Sequence, residues 1–153
     1  MTQPAEGRFV DEVRSEIEIA APPERVFDIL THLESYGEWN PFTPRVESTL
    51  QLGDPVHLYA RLRSETRLSH QVEYVTANER PHRLCWGANI GARFLIRADR
   101  CQTLTPLGSD HTGYVCTDRI SGWLTPIVMR FFGPAMQRGF DDCARALKER
   151  AEA

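Results

Sequence analysis

The sequence predicts an α+β protein in which a curved antiparallel sheet of seven strands wraps around one long C-terminal helix. Three observations predict it. Residues 12–21 alternate apolar and polar side chains, the period of a half-buried strand. Between Arg45 and Ser121, strand-like runs recur at a spacing of roughly ten residues with turn residues between them, the mark of an antiparallel meander. From Pro126 onward, Val128, Phe132, Met136, Phe140, Cys143 and Leu147 recur at i+4 or i+3 and form one apolar stripe on an amphipathic helix. Burying each large side chain of that stripe contributes on the order of 1.5–3 kcal/mol. The helix must therefore pack on something broad, and only the sheet qualifies.

The elements follow in order. In the first strand Val13, Ser15, Ile17 and Ile19 share one face, and Arg14, Glu16 and Glu18 the other. Two prolines, Pro22 and Pro23, then open a short helix with Glu24 in its first turn and Val26, Phe27, Leu30 and Leu33 at helical spacing. Gly37, Pro41 and Pro44 rule out a regular helix through residues 35–48, although Tyr36, Trp39 and Phe42 crowd that stretch. Two short helical pieces thus close one end of the sheet. Strands are predicted at 45–50, 56–63, 67–76, 82–88, 93–105 and 111–121, with turns at 53–55, 78–81 and around Gly108. The last helix is predicted from about Thr125 to Arg150, kinked or interrupted at Pro134 and weakened by Gly133 and Gly139.

The totals bound the function. The chain of 153 residues fits one domain, expected over residues 11–153 after a flexible lead over residues 1–10. With 41% hydrophobic and 25% charged residues it has the composition of a globular protein rather than a disordered one. A net charge of −3 with dispersed arginines argues against a nucleic-acid partner. No run of residues is apolar enough for a membrane span, so stable membrane insertion is not expected. The first residues lack the basic start and apolar run of a secretory signal. Cys85, Cys101, Cys116 and Cys143 form no C-x-x-C pair and are expected as reduced thiols of a cytoplasmic protein.

Four stretches resemble the START-like, or SRPBCC, superfamily, which includes bacterial polyketide cyclases. "IEIAAPPERVFDIL" looks like its opening, and "YGEWNPFTP" like the Trp-x-Pro stretch that follows. "DRISGWL" resembles the run that ends its last strand, and "RGFDDCARALKER" the close of its long helix. Ile120 departs from the usual aromatic before Ser-Gly. The resemblance spans about Val13 to Lys148 and implies the helix-grip fold, with a deep cavity between sheet and helix. Members range from lipid carriers to aromatase/cyclases and chaperone activators, so the fold does not name the reaction.

The implied cavity would be lined by Trp39, Phe42, Trp86, Tyr114, Trp123, Phe132 and Met136. The resemblance places Leu104 and Tyr114 inward. Strand alternation then turns Arg100 and Asp118 inward too, opposite one another across the hairpin and within reach of an ion pair. Such a pair would hold a carboxylate, phenol or enolate, and it is the candidate catalytic pair. A register shifted by one residue would put both on the solvent face. Likewise Trp39 and Phe42 either line one end of the cavity or cap the core. His57 and His70, on neighbouring strands, are lesser candidates for a pocket base, with His57 expected outward. The histidine spacing fits no metal site, and no cofactor motif is present.

Three functions are consistent with these residues. The first is a binding protein for a small hydrophobic or aromatic molecule. The second is a polyketide cyclase/dehydrase-type enzyme, which needs polar groups in the pocket. The third is a protein-interaction module of the chaperone-activator type, which needs an exposed apolar patch. Either a monomer or a homodimer is compatible with all three.

Overall fold

A computed structural model describes residues 9–92 and 95–153. Seven strands form one antiparallel sheet: β1 (Val10–Ile19), β2 (Arg45–Glu47), β3 (Pro55–Ala60), β4 (Ser69–Glu79), β5 (Arg83–Ile90), β6 (Ile96–Gly108) and β7 (His111–Ser121). Their spatial order is β1-β7-β6-β5-β4-β3-β2, so β2 to β7 are a meander and the first strand adds beside the last. Helices α1 (Pro23–Thr31) and α2 (Tyr36–Trp39), joined by a 3-10 turn, follow β1, and α3 (Thr125–Glu152) closes the chain. This is the predicted helix-grip architecture.

The local reasons are those of the residues. Pro23 starts α1 with no side-chain cap, and Val26, Phe27 and Leu30 bury its inner face. Of the stretch 35–48 only one turn, Tyr36–Trp39, is helical, and it stops at Asn40, whose backbone is extended just before Pro41. The Asn40 side-chain oxygen then accepts from the backbone N–H groups of Phe42 (3.1 Å) and Thr43 (2.9 Å), which turns Phe42 under α3. There the Phe42 ring meets Phe140 edge-on at 5.9 Å. Gly139 permits this approach, because a methyl group at that position would collide with the Phe42 ring.

Several boundaries differ from the sequence reading. Val10 already belongs to β1, inside the expected lead, while residues 1–8 lie outside the described residues. The second strand is cut to Arg45–Glu47 and the third ends at Ala60, where Arg61 turns to hold the carbonyls of Pro41 and Glu65. Arg93 and Phe94, read as the start of the sixth strand, lie outside the described residues. Helix α3 runs without interruption through Pro134: Val128, Met129 and Phe132 before it are partly buried against the core, and Met136, Phe140 and Leu147 after it are buried in it. The reduced-thiol expectation fails for two cysteines. Cys85 and Cys101 stand directly opposite on β5 and β6, Cα atoms 4.2 Å apart, and are joined in a disulfide on the outer face. Cys116 and Cys143 are free and buried.

Candidate functional site

A cavity of about 760 Å3 lies between the sheet and α3. Its origin is a contrast between rows of inward side chains. One row carries Trp86, Arg100 and Asp118, in register across β5, β6 and β7, and Trp86 fills the space beneath it. In the next row Ala88 stands opposite Ala98, which stands opposite Ile120. Ala98 lines the cavity, and its small side chain leaves room there, whereas Ala88 is buried beside it without lining the cavity. The cavity is walled by Leu58, Ile96, Ala98 and Ile120 on the sheet side, by Val128, Phe132, Met136 and Phe140 of α3, and by Phe42.

Three buried charged side chains face this apolar space. Arg100, Asp118 and Glu73 are 8%, 7% and 7% exposed. Arg100 and Asp118 are opposite and inward, as alternation from Leu104 and Tyr114 requires. The anticipated ion pair between them does not form: no nitrogen–oxygen contact within 4 Å joins these two described residues. The guanidinium turns instead toward α3. Its Nε–H donates to Cys116 Sγ (3.4 Å), and its carbon sits 4.6 Å from the Phe140 ring centre and 5.7 Å from that of Trp86. Asp118 Oδ1 is thereby left buried without a hydrogen-bond partner. Glu73 Oε1, on β4, is in the same condition. Burial pushes the Asp118 carboxyl up to about 7, the Arg100 charge holding it back and Asp99 adding to the rise. Burial first, then the Asp118 charge, pushes Glu73 up to about 8. The site therefore holds a fixed cation and two acids that exchange protons near neutrality, each with an unused oxygen.

The aromatic candidates divide. Phe42, Phe132 and Met136 line the cavity. Trp39, Trp86, Tyr114 and Trp123 do not. Trp86 and Tyr114 are packed into the core, and the Tyr114 hydroxyl donates to Gln102 Oε1 (2.7 Å). Trp39 packs edge-on against Tyr36 at 5.0 Å. The positive φ of Gly122 redirects the chain after β7, so that Leu124 faces the cavity and Trp123 the outside, 44% exposed. His57 points outward as expected, its Nδ1 3.0 Å from His70 Nε2, while His70 borders the cavity. Among the described residues no group of three potential ligands could hold a metal ion.

Glu73 is the residue that sequence reasoning missed. On β4 the apolar Val72 and Tyr74 face outward, and Gln71 and Glu73 face in. Val75 and Ala77, buried at even spacing from Glu73 on the same face of β4, are the signal that could have found it.

A sheet gripping a helix across an apolar cavity with buried charges is the architecture of a helix-grip ligand-binding protein. The chain belongs to the polyketide cyclase / dehydrase and lipid transport family, whose model matches residues 11–152. No curated protein matches it in sequence. Among solved structures it is similar to the Zhui aromatase/cyclase from Streptomyces sp. R1128, with 15% identity, 94% of each chain covered and a TM-score of 0.75. A START superfamily protein from Mycobacterium smegmatis matches at 19% identity, covering 92% of this chain and 97% of that one, with a TM-score of 0.68. Norcoclaurine synthase from Thalictrum flavum, in complex with dopamine and hydroxybenzaldehyde, matches at 11%, covering 93% and 86%, also at 0.68. At these identities the likeness is one of fold.

Proposed function

We propose that the protein binds a small hydrophobic or aromatic molecule in the cavity between sheet and α3, with a polar end of that molecule at Arg100, Asp118 and Glu73. The observation that carries this reading is a cavity of about 760 Å3, mostly apolar, with two buried carboxyl oxygens lacking partners. A ligand hydroxyl could satisfy either oxygen, and the Arg100 N–H groups could hold a ligand oxygen. The test uses two dyes, neutral Nile red and anionic anilinonaphthalene sulfonate. Ala98→Phe should fill the space and abolish binding of both. Arg100→Met should weaken the anionic dye more than the neutral one. Unchanged binding by the Ala98 variant would refute the cavity as the ligand site.

A second reading, a cyclase/dehydrase-type enzyme, is favoured by the two acids near neutrality. One carboxylate would take a proton from the carbon beside a ligand carbonyl while Arg100 holds the enolate oxygen. The other, protonated, would give its proton to a departing hydroxyl, which leaves as water. Under this reading Asp118→Asn and Glu73→Gln abolish turnover of a hydroxy-ketone substrate but keep dye binding. Retained turnover in both variants would eliminate it.

A further inference from the structure

The large exposed apolar side chains are not scattered. Of twelve among the described residues, eight gather at the end of the molecule where the cavity opens. Leu68, Ile90 and Leu124 form its lip. Ile127 and Phe131 stand on the outside of the first turns of α3, and Phe131 is 71% exposed. Trp123 lies beside Leu124, flanked by Phe9 and Val10, whose strand pairs with Ser121 and whose Phe9 carbonyl accepts from Gly122 N–H (3.1 Å). Arginines outnumber acids at this end, where Asp11 and Glu12 of β1 stand opposite Ile120 and Arg119. Residues 119–140 contain three arginines and no Asp or Glu, although the whole chain carries −3. The β3–β4 connection, residues 61–68, adds three arginines against one glutamate. Arg63, Arg67 and Arg130 are exposed, and none forms an ion pair with a carboxylate among the described residues.

We propose that this mouth end docks on the surface of a lipid bilayer bearing anionic headgroups. Aromatic and aliphatic side chains ringed by arginines are suited to the boundary between headgroups and acyl chains. The arginines complement the anionic surface. The orientation also gives the patch a purpose. A protein partner seated here would seal the opening, whereas a bilayer would let an apolar molecule pass into the cavity without crossing water. That purpose rests on the ligand reading above, but the docking is measured separately from it.

The experiment is co-sedimentation with vesicles of pure phosphatidylcholine and of phosphatidylcholine with phosphatidylglycerol as the anionic component. Binding to the anionic vesicles is expected, weakened by added salt. Phe131→Asp, and separately Arg63→Glu with Arg130→Glu, should reduce it about tenfold or more, with Nile red binding in the cavity kept. Failure of the dye to bind the parent protein would refute the ligand reading and leave vesicle binding to be read by itself. Absence of binding to anionic vesicles would overturn the proposal, as would equal binding by the variants. Equal binding to both vesicle types would overturn the headgroup assignment. A dimer that Phe131→Asp dissociates, without vesicle binding, would assign this face to a second copy instead.

Discussion

At the scale of single residues, the two buried acids dominate behaviour. In the folded protein Asp118 and Glu73 hold protons up to about pH 7 and 8, against ordinary values of 3.8 and 4.5. The folded state thus keeps protons that the unfolded chain releases. The stabilisation is full below about pH 4 and is lost as pH rises through 7 and 8. Glu73→Gln should raise the melting temperature at pH 9 by a few degrees and leave it nearly unchanged at pH 4, with scanning calorimetry as the check. A fall at both pH values would mean that Glu73 has a partner. Gly139→Ala sets two effects against each other. Alanine favours the helix by about 1 kcal/mol, but its methyl group collides with Phe42, and overpacking costs typically 1–3 kcal/mol. A net loss is expected in denaturant unfolding, and adding Phe42→Leu should recover part of it. The facing of Arg100 and Asp118 was legible by even spacing from Leu104 and Tyr114, once the family resemblance placed those two inward. Glu73 was not, because its neighbours Val72 and Tyr74 are the side chains that alternation assigns to a core. The ion pair was misjudged for another reason: register places Cα atoms, and it says nothing about the pull of Phe140 and Cys116 on a long guanidinium.

Among elements, the hairpin of β5 and β6 carries the disulfide. Closing a loop of 16 residues limits the unfolded chain by about 3 kcal/mol, and less where the hairpin persists on unfolding. Cys85→Ser with Cys101→Ser should therefore lower stability by up to about 3 kcal/mol while the cavity still binds dye. Equilibrium urea unfolding measures the first and fluorescence the second. Sequence spacing could not reveal this bond, since a pairing register is needed before two cysteines sixteen residues apart are known to face each other. The strands and α3 were legible because period and turn chemistry agree along most of the chain. Their ends were less so: Arg61 belongs to a loop because it bonds carbonyls 20 residues away and 4 residues on, which no local pattern records. The stripe on α3 was similarly readable, but only its second half is core. Val128 and Phe132 obey the same period while facing the cavity, so periodicity alone cannot separate a packed wall from an open one.

For the whole molecule, the cavity is the part with no direct sequence signal. It is open at Ala98 because a small side chain there stands opposite Ile120, a coincidence of two strands. Ala98→Leu should raise stability by about 1 kcal/mol by adding buried apolar surface without creating strain, at the expense of dye binding. A loss of stability there would mean that the space is narrower than its volume implies. The strand order has a consequence of a different kind. Val10 pairs with Ser121, so the first strand made is completed only by one of the last. At a ribosomal rate of roughly 5–20 residues per second, β1 waits on the order of ten seconds for its partner as an unpaired edge. Its outward face carries Glu12, Arg14, Glu16 and Glu18. Charges so placed keep a waiting strand from pairing with another nascent chain. The alternation that first marked β1 as half-buried thus also protects the chain while it is still being synthesised.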